Sequence, residues 1–175
     1  KREGSVIREK NFIDANNYET VAYLKHLDIR NEPKMVLFEN VPALNGKKSE
    51  FSLFYNPWVT RQYVADSLDM GDIKSSMDVG LEVARRELQP GSVEVIPSEK
   101  APVKQIVLTG DKADLRTLPI PMHQKDDAGA YLTMACAMKG LNRDFYDITF
   151  TKNKFYEPRR MSFSAHKHHH LEAMT

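Results

Sequence analysis

The sequence predicts a mixed α/β module followed by an antiparallel β-sheet, and three observations lead to this fold class. Up to about residue 98, short apolar runs alternate with segments of helical period. From Ala101 onward, prolines and then stretches rich in Thr, Tyr, Phe and Ile replace that alternation. The content of 41% hydrophobic and 28% charged residues is ordinary for a globular protein. We therefore expect two modules, one at 1–100 and one at 101–175.

The first module begins with a short strand in SVIREK, followed by a helix in NNYETVAYLKHLD that Asn17 can cap. The apolar run KMVLFENV (34–41) is typical of a buried strand. Further helices are predicted for NPWVTRQYVADSLDM and for SSMDVGLEVARRELQ. The last of these begins at Ser75 or Ser76 and ends before Pro90.

The second module begins with PVKQIVLTGD, which predicts a strand leading into a turn. LRTLPIPMHQKDDAGA is expected to be extended, because its two prolines exclude a helix. Three further strands are predicted in AYLTMACAMK, DFYDITFTK and RRMSFSAH from their composition and partial alternation. The segment NKFYEP connects the last two, which predicts a hairpin.

Composition and charge exclude several classes of protein. The net charge of +1 gives no field that would favour nucleic acid as a partner. The single cysteine, Cys136, excludes an internal disulfide and any thiol-only metal site. No segment approaches the roughly 18 apolar residues of a membrane span, and none resembles a signal peptide. We expect a cytoplasmic protein without stable membrane insertion. Because KREGSVIREK lacks an initiator methionine, we also expect a piece of a longer polypeptide.

Candidate chemistry is concentrated in the last thirty residues, since the common nucleotide, hydrolase and zinc motifs are absent from the sequence. Alternation places Asp147, Thr149 and Thr151 on one face of a strand, and His170 opens the final helical segment. A carboxylate and an imidazole can share a divalent ion, and a helix N-terminus can hold a phosphate. The same pattern is also consistent with a surface role for Asp147. The histidine run would then be a solvated helix start or a purification tag. The residues alone leave both interpretations open.

A longer segment carries a resemblance to a known family. PVKQIVLTGDKADLRTLPIPMHQKDDAGAYLTMA, in its combination of LTGD, DL, LPIP and DAG.Y.T, resembles the UbiD-like decarboxylases. These are the polyprenyl-hydroxybenzoate and aromatic-acid carboxy-lyases that use prenylated FMN. KREGSVIREK and MVLFENV are similar to the opening of that family and to one of its strands. The resemblance implies that the second module is the first part of a split β-barrel that binds flavin.

The resemblance also implies a set of site residues. Asp147 stands where the family has a metal-binding asparagine, and His170 stands at its metal-binding histidine. Lys152 replaces the family's catalytic arginine; it keeps the charge and loses the planar fork that pairs with carboxylates. The remaining acidic residues of the family's site would lie beyond Thr175. The residues implied to bind the cofactor are Phe150, Thr151, Lys152, Ser164, Ala165, His166, His169 and His170.

The activity implied is a reversible, non-oxidative decarboxylation of a small aromatic or α,β-unsaturated carboxylic acid. Prenylated FMN would be the cofactor, supplied by a flavin prenyltransferase, with Mn²⁺ or another divalent cation and K⁺ as a further ion. A homo-oligomer is expected, and residues 1–175 alone are expected to be inactive. Three alternatives stay open: an altered, non-catalytic subunit of a larger carboxylase, a flavin-binding oxidoreductase, and a histidine-run metal binder without flavin.

Other conspicuous residues have simpler interpretations. His123 is expected to be an exposed loop histidine, and Cys136 an inert core residue. Trp58 and the aromatic stretch 51–55 are expected in a core or in a contact between subunits. The pair Arg159-Arg160 is expected at a solvated hairpin turn.

Overall fold

The computed structural model describes residues 4–89, 91, 94–140 and 146–163. It contains two three-stranded sheets with helices packed beside the first, as the predicted fold class requires. In the first sheet a central strand pairs in parallel on one side and antiparallel on the other. Its strands are β1 (Val6–Glu9), β2 (Met35–Phe38) and β3 (Leu53–Tyr55), in the order β1-β2-β3.

The hydrophobic core lies against this first sheet. Val36 and Phe38 of β2 are fully buried, because alternate residues of a strand point to the same face. Phe38 makes edge-to-face contacts with Tyr23, at 5.3 Å between ring centroids, and with Tyr55, at 5.8 Å. Leu27 completes this core from the helix that connects β1 and β2.

That connecting helix, α1 (Glu19–Ile29), starts one residue later than a cap at Asn17 predicts. Asp14 caps a preceding 3-10 turn by accepting a hydrogen bond from the Asn16 N–H, and Tyr18 then adopts a left-handed φ of 64°. The predicted cap at Asn17 is therefore wrong: Asn17 closes the 3-10 turn instead. A helix between two parallel strands is expected, because such strands need a crossover connection.

The next two helices are α2 (Arg61–Ser67) and α3 (Ser76–Glu87). Helix α2 is shorter than NPWVTRQYVADSLDM suggests: Asn56 has a left-handed φ of 59°, and the helix begins only after Thr60, which accepts from the Tyr63 N–H. Helix α3 begins with a capping box between Ser75 and Asp78, which decides between the two predicted caps. None of the described helices is long and apolar enough to cross a membrane.

The second sheet is antiparallel throughout, as predicted. It consists of β4 (Tyr131–Lys139), β5 (Tyr146–Glu157) and β6 (Arg160–Ser162). The expected connection NKFYEP is wrong, because β5 continues through Glu157 and the chain turns only at 158–159. The extension has a physical reason: Asn153 continues the alternation of Thr151 and is buried beside it.

The strand predicted in PVKQIVLTGD is also wrong. The structure has a 3-10 turn at Pro102–Lys104, followed by bends and extended chain. The apolar side chains Val103, Ile106 and Val107 are largely exposed, and no strand among the described residues pairs with the segment. An apolar run of this composition forms a strand only where a partner supplies hydrogen bonds.

The segment after it joins the two sheets. The Leu44 N–H donates to the Leu118 carbonyl at 2.9 Å, and the Met122 N–H donates to the Ala15 carbonyl at the same distance. Ile120 between them is fully buried. This extended stretch therefore packs along the first module and leads directly into β4.

Candidate functional site

A pocket of about 450 Å³ lies between the first and second sheets. Its volume and its apolar lining are typical of small-molecule sites. The lining comes from the end of β3 and the loop after it, from the 121–123 segment, and from β4 and β5. The ring-bearing residues of the lining are Phe54, Tyr55, Pro57, Trp58, Pro121, His123, Tyr131 and Phe150.

His123 connects the two sheets at this pocket. Its ring stacks on Tyr131 of β4, at 4.1 Å between centroids and 22° between planes. Its Nε2 lies 3.4 Å from the Tyr55 hydroxyl at the end of β3. The expectation of an exposed loop histidine is therefore wrong, because the extended PIPMH segment presses His123 between two tyrosines.

Burial sets the protonation of these rings. Desolvation lowers the pKa of His123, and the charge of Lys152 lowers it further, whereas Asp127 raises it. Desolvation likewise raises the pKa of Tyr55 and of Tyr131. At neutral pH the three rings are therefore uncharged, and they form a wall that suits an apolar or aromatic surface.

Lys152 stands at the rim of the pocket. Its direct partner on β4 is Thr133, which lines the pocket. Its Nζ lies over the Tyr131 ring, 5.5 Å from the centroid, in cation–π geometry. Phe150, two residues earlier on the same face of β5, meets Trp58 edge-to-face at 5.3 Å. The predicted catalytic residue and one predicted flavin-lining residue are thus brought together beside the pocket.

Asp147 and Thr151 occupy the opposite face of β5, as the alternation predicts. Thr151 is only 7% exposed and Asn153 only 5%. The Asn153 amide donates to the Thr151 hydroxyl at 2.9 Å and to its carbonyl at 3.1 Å. Cys136 contributes from β4, with its Sγ 3.3 Å from the Thr151 hydroxyl. The sheet therefore separates the predicted metal ligand from the predicted catalytic lysine.

One side chain on this face, that of Asp147, is of a type that suits a hard cation. Asp147 is half-buried and offers carboxylate oxygens, the ligand type that Mg²⁺ and Mn²⁺ prefer. In the part of the chain that the structure describes, no three His, Cys, Asp or Glu side chains form a cluster. The other predicted ligand, His170, lies outside the described residues, as do Ser164, Ala165, His166 and His169.

Sequence reasoning did not single out Tyr55 or Tyr131 as functional residues. Each sits at one end of a strand beside a turn, a position without any motif of its own. The DAGAY stretch carried a signal for Tyr131, but as part of a family pattern rather than as a pocket wall.

The comparison with protein families gives a match over the C-terminal part of the chain. Residues 94–175 match the model of the UbiD family, described as the 3-octaprenyl-4-hydroxybenzoate carboxy-lyase Rift-related domain. The resemblance drawn from the sequence is thereby confirmed for these residues. No curated protein matches the chain by sequence.

Solved structures extend the likeness to nearly the whole chain at the level of the fold. The UbiD-class enzyme HmfF from Pelotomaculum thermopropionicum, in complex with FMN, has a TM-score of 0.81 at 20% identity; 97% of this chain and 36% of that one are covered. The apo structure of the 3,4-dihydroxybenzoic acid decarboxylase from Enterobacter cloacae also has a TM-score of 0.81 at 20% identity. The match covers 99% of this chain and 36% of that one. An open form of the vanillic acid decarboxylase of Sedimentibacter hydroxybenzoicus has a TM-score of 0.83 at 22% identity. The match covers 98% of this chain and 36% of that one. The chain thus spans about a third of the length of these enzymes.

Proposed function

We propose, from the premise that residues 94–175 form a domain of the UbiD family, that the protein serves the reversible, non-oxidative decarboxylation of a small aromatic or α,β-unsaturated carboxylic acid. The observation that supports this most is the family match over the second module. The proposed cofactors are prenylated FMN and a divalent cation such as Mn²⁺. A flavin prenyltransferase would supply the prenylated FMN, and the protein would assemble as a homo-oligomer.

Prenylated flavin, when bound, supplies the electron sink for loss of carbon dioxide. Asp147 and His170 would hold the divalent ion, and the 164–170 segment would hold the flavin phosphate. Phe150 would lie against the flavin on the pocket face of β5, whereas Thr151, buried on the face that carries Asp147, would not share that contact. The lysine at position 152 would bind the substrate carboxylate and hold it in place before the reaction.

Lysine at this position carries a chemical consequence. Its ammonium is a point charge on a flexible stem, whereas arginine presents two parallel N–H groups to a carboxylate. Lys152 is exposed, so its side chain is held by the Tyr131 ring more than by packing. We expect K152R to bind an aromatic carboxylate more tightly than the lysine form, because the guanidinium fork matches the carboxylate.

The test is cofactor loading rather than turnover. The chain is co-expressed with a flavin prenyltransferase, purified without oxygen and weighed by native mass spectrometry. We expect the mass of prenylated FMN together with one divalent ion. The D147A variant should lose the ion, whereas D126A, which removes an exposed loop carboxylate, should retain it. A wild-type chain that carries neither flavin nor ion contradicts the proposal.

A second candidate is an altered subunit of a larger carboxylase that keeps the fold without the cofactor. It is favoured by the two replacements Asp147 and Lys152, which alter both the metal ligand and the catalytic cation of the family pattern. The discriminating variant is D147N/K152R. Flavin bound by this double variant and not by the wild-type chain would favour the altered subunit.

A further inference from the structure

Helix α3 turns an apolar stripe towards solvent. At 3.6 residues per turn, Met77, Leu81, Ala84 and Leu88 fall within a sector of about 60°, and we call these four residues the α3 stripe. Met77 is 66% exposed, Leu81 64% and Leu88 84%, and Ala84 is exposed as well. The one buried residue of the helix, Val79, lies on the opposite side. The apolar surface of the stripe is therefore open to a partner, because the helix packs on its own module through its other face.

The α3 stripe has the spacing of a contact between two helices. Its steps of four, three and four residues are those of the a and d positions of a heptad. In an antiparallel pair of two copies, Met77 lies opposite Leu88 of the second copy, and Leu81 lies opposite Ala84. Ala84 is small and leaves room for the leucine. Beside it, a Cβ at Gly80 would meet no atom of the described structure within 4 Å. Two copies of the helix can therefore approach closely along the stripe.

The charges that flank the stripe are complementary to themselves. Asp78 and Arg85 lie seven residues apart on one edge of the stripe. In the antiparallel pair this edge meets the same edge of the second copy, so each Asp78 faces an Arg85. Arg85 binds Glu82 within its own helix, and its side chain is still 55% exposed. On the other edge Glu87 faces Gly80, so no like charges meet. This charge pattern favours a second copy of the chain as the partner.

We propose that two copies of the chain associate through α3: their helices pair antiparallel along the α3 stripe, about a two-fold axis between residues 82 and 83. The proposal deepens the function proposed above and rests on it for the homo-oligomer, to which it assigns a contact surface. The stripe is about 17 Å long at 1.5 Å per residue. A contact of this length buries less than the roughly 1,200 Å² of a standard interface, so we expect a dimer that dissociates in the micromolar range.

Analytical ultracentrifugation of the whole chain measures this association. We expect a monomer–dimer equilibrium between about 1 μM and about 1 mM. L81E should abolish the dimer, because each copy would place an unpaired carboxylate in the middle of the contact. I29E is the matched control, since Ile29 is an exposed apolar residue at the end of α1 and lies outside the stripe. I29E should dimerise like the wild type, and both variants should keep the wild-type circular dichroism spectrum.

Two outcomes of this experiment would overturn the proposal. A wild-type chain that stays monomeric at the highest concentration would leave the stripe to a different partner. A dimer that L81E weakens no more than I29E does would place the contact elsewhere on the surface.

Arg85 and Arg86 form a second matched pair. Both bind Glu82 within the helix, at 2.6 and 2.7 Å, but only Arg85 lies beside the stripe. R85E should weaken dimerisation about tenfold, because the two symmetry-related contacts with Asp78 become repulsive. R86E loses the same partner and should leave dimerisation unchanged. Equal losses in the two variants would contradict the pairing of Asp78 with Arg85.

Disulfide cross-linking tests the orientation of the two helices. In the antiparallel pair, the two copies of Ala84 are offset by about 5 Å along the axis, whereas those of Leu88 are offset by about 17 Å, beyond the reach of a disulfide. In a C136S background, A84C should therefore form a linked dimer on mild oxidation, and L88C should not. Equally fast linkage of L88C would refute the antiparallel arrangement.

The dimer contact and the decarboxylase function can fail separately. An α3 dimer in a co-expressed chain that carries no prenylated flavin would contradict the decarboxylase function and leave the contact standing. A flavin-loaded chain whose assembly L81E leaves intact would refute the contact and leave the decarboxylase function standing.

Discussion

The two sheets use their apolar side chains in opposite ways. In the central strand of the first sheet, Val36 and Phe38 point inward, are fully buried and form the centre of the core. In the second sheet Ile148 is 71% exposed on one face of β5, whereas the polar residues Thr151 and Asn153 are buried on the other. The first sheet is thus built for stability. The second sheet keeps apolar surface available and buries a hydrogen-bonded polar pair, an arrangement suited to binding.

The largest expected effect comes from truncating the same side chain in the two sheets. F38A should lower the free energy of unfolding by about 3–5 kcal/mol, because a fully buried ring is replaced by a cavity between Tyr23 and Tyr55. F150A should cost less than about 1 kcal/mol, because half of that ring already faces solvent. Urea denaturation of both variants measures the difference. Equal losses would mean that the second sheet also forms a core.

A smaller effect is expected from the polar pair of the second sheet. N153A should cost about 1–3 kcal/mol, because it removes two hydrogen bonds in a buried position beside Thr151. I148A, on the exposed face of the same strand, should change the free energy of unfolding by less than about 0.5 kcal/mol. The comparison with I148A is the control for strand propensity. A larger loss in I148A than in N153A would reverse our view of which face is buried.

The smallest effect is a pH dependence at the contact between the sheets. Because burial lowers the pKa of His123 in the folded state, the unfolded chain binds more protons as the pH falls below about 6.5. Stability should therefore decrease on acidification between that value and the lowered folded pKa. Above this window the imidazole is neutral in both states and makes no such contribution.

The H123F variant isolates this contribution. Phenylalanine keeps a ring that can stack on Tyr131 and removes the titrating group. We expect H123F to lose less stability than the wild type between about pH 7.5 and about pH 5.5, measured by urea denaturation at both values. An unchanged slope in H123F would show that His123 is not desolvated in solution.

Local sequence patterns predicted the elements that are stabilised locally. The capping residues of α3, the buried strand β2 and the alternation of β5 follow from short-range rules, and all three are found. The prediction failed where long-range partners decide. PVKQIVLTGD has strand composition without a partner strand in the described structure, and Asn17 is displaced as a cap by the Asp14 turn.

The candidate site was predictable only in part for the same reason. Lys152 and Phe150 were identified through the family resemblance, and their shared face follows from alternation. The pocket itself depends on His123 lying between Tyr55 and Tyr131, which are 76 residues apart in the sequence. No local pattern indicates that the ends of two different sheets meet there. The division into modules at residue 100 stays a prediction, as do the roles of Asp147 and Lys152.

The distribution of side chains over the two faces of β5 also affects how β4 and β5 align. If β5 slipped by one residue, the hydrophobic pattern would gain, because Ile148 and Phe150 would turn inward. The same slip would carry Lys152 and Lys154 inward, and burying two unpaired ammonium groups costs more than the apolar side chains return. The lysines therefore disfavour the misaligned hairpin, and the contact between the Cys136 Sγ of β4 and the Thr151 hydroxyl of β5 belongs to the native alignment. Lys152, which is proposed to bind the substrate carboxylate, thus also favours the correct strand pairing.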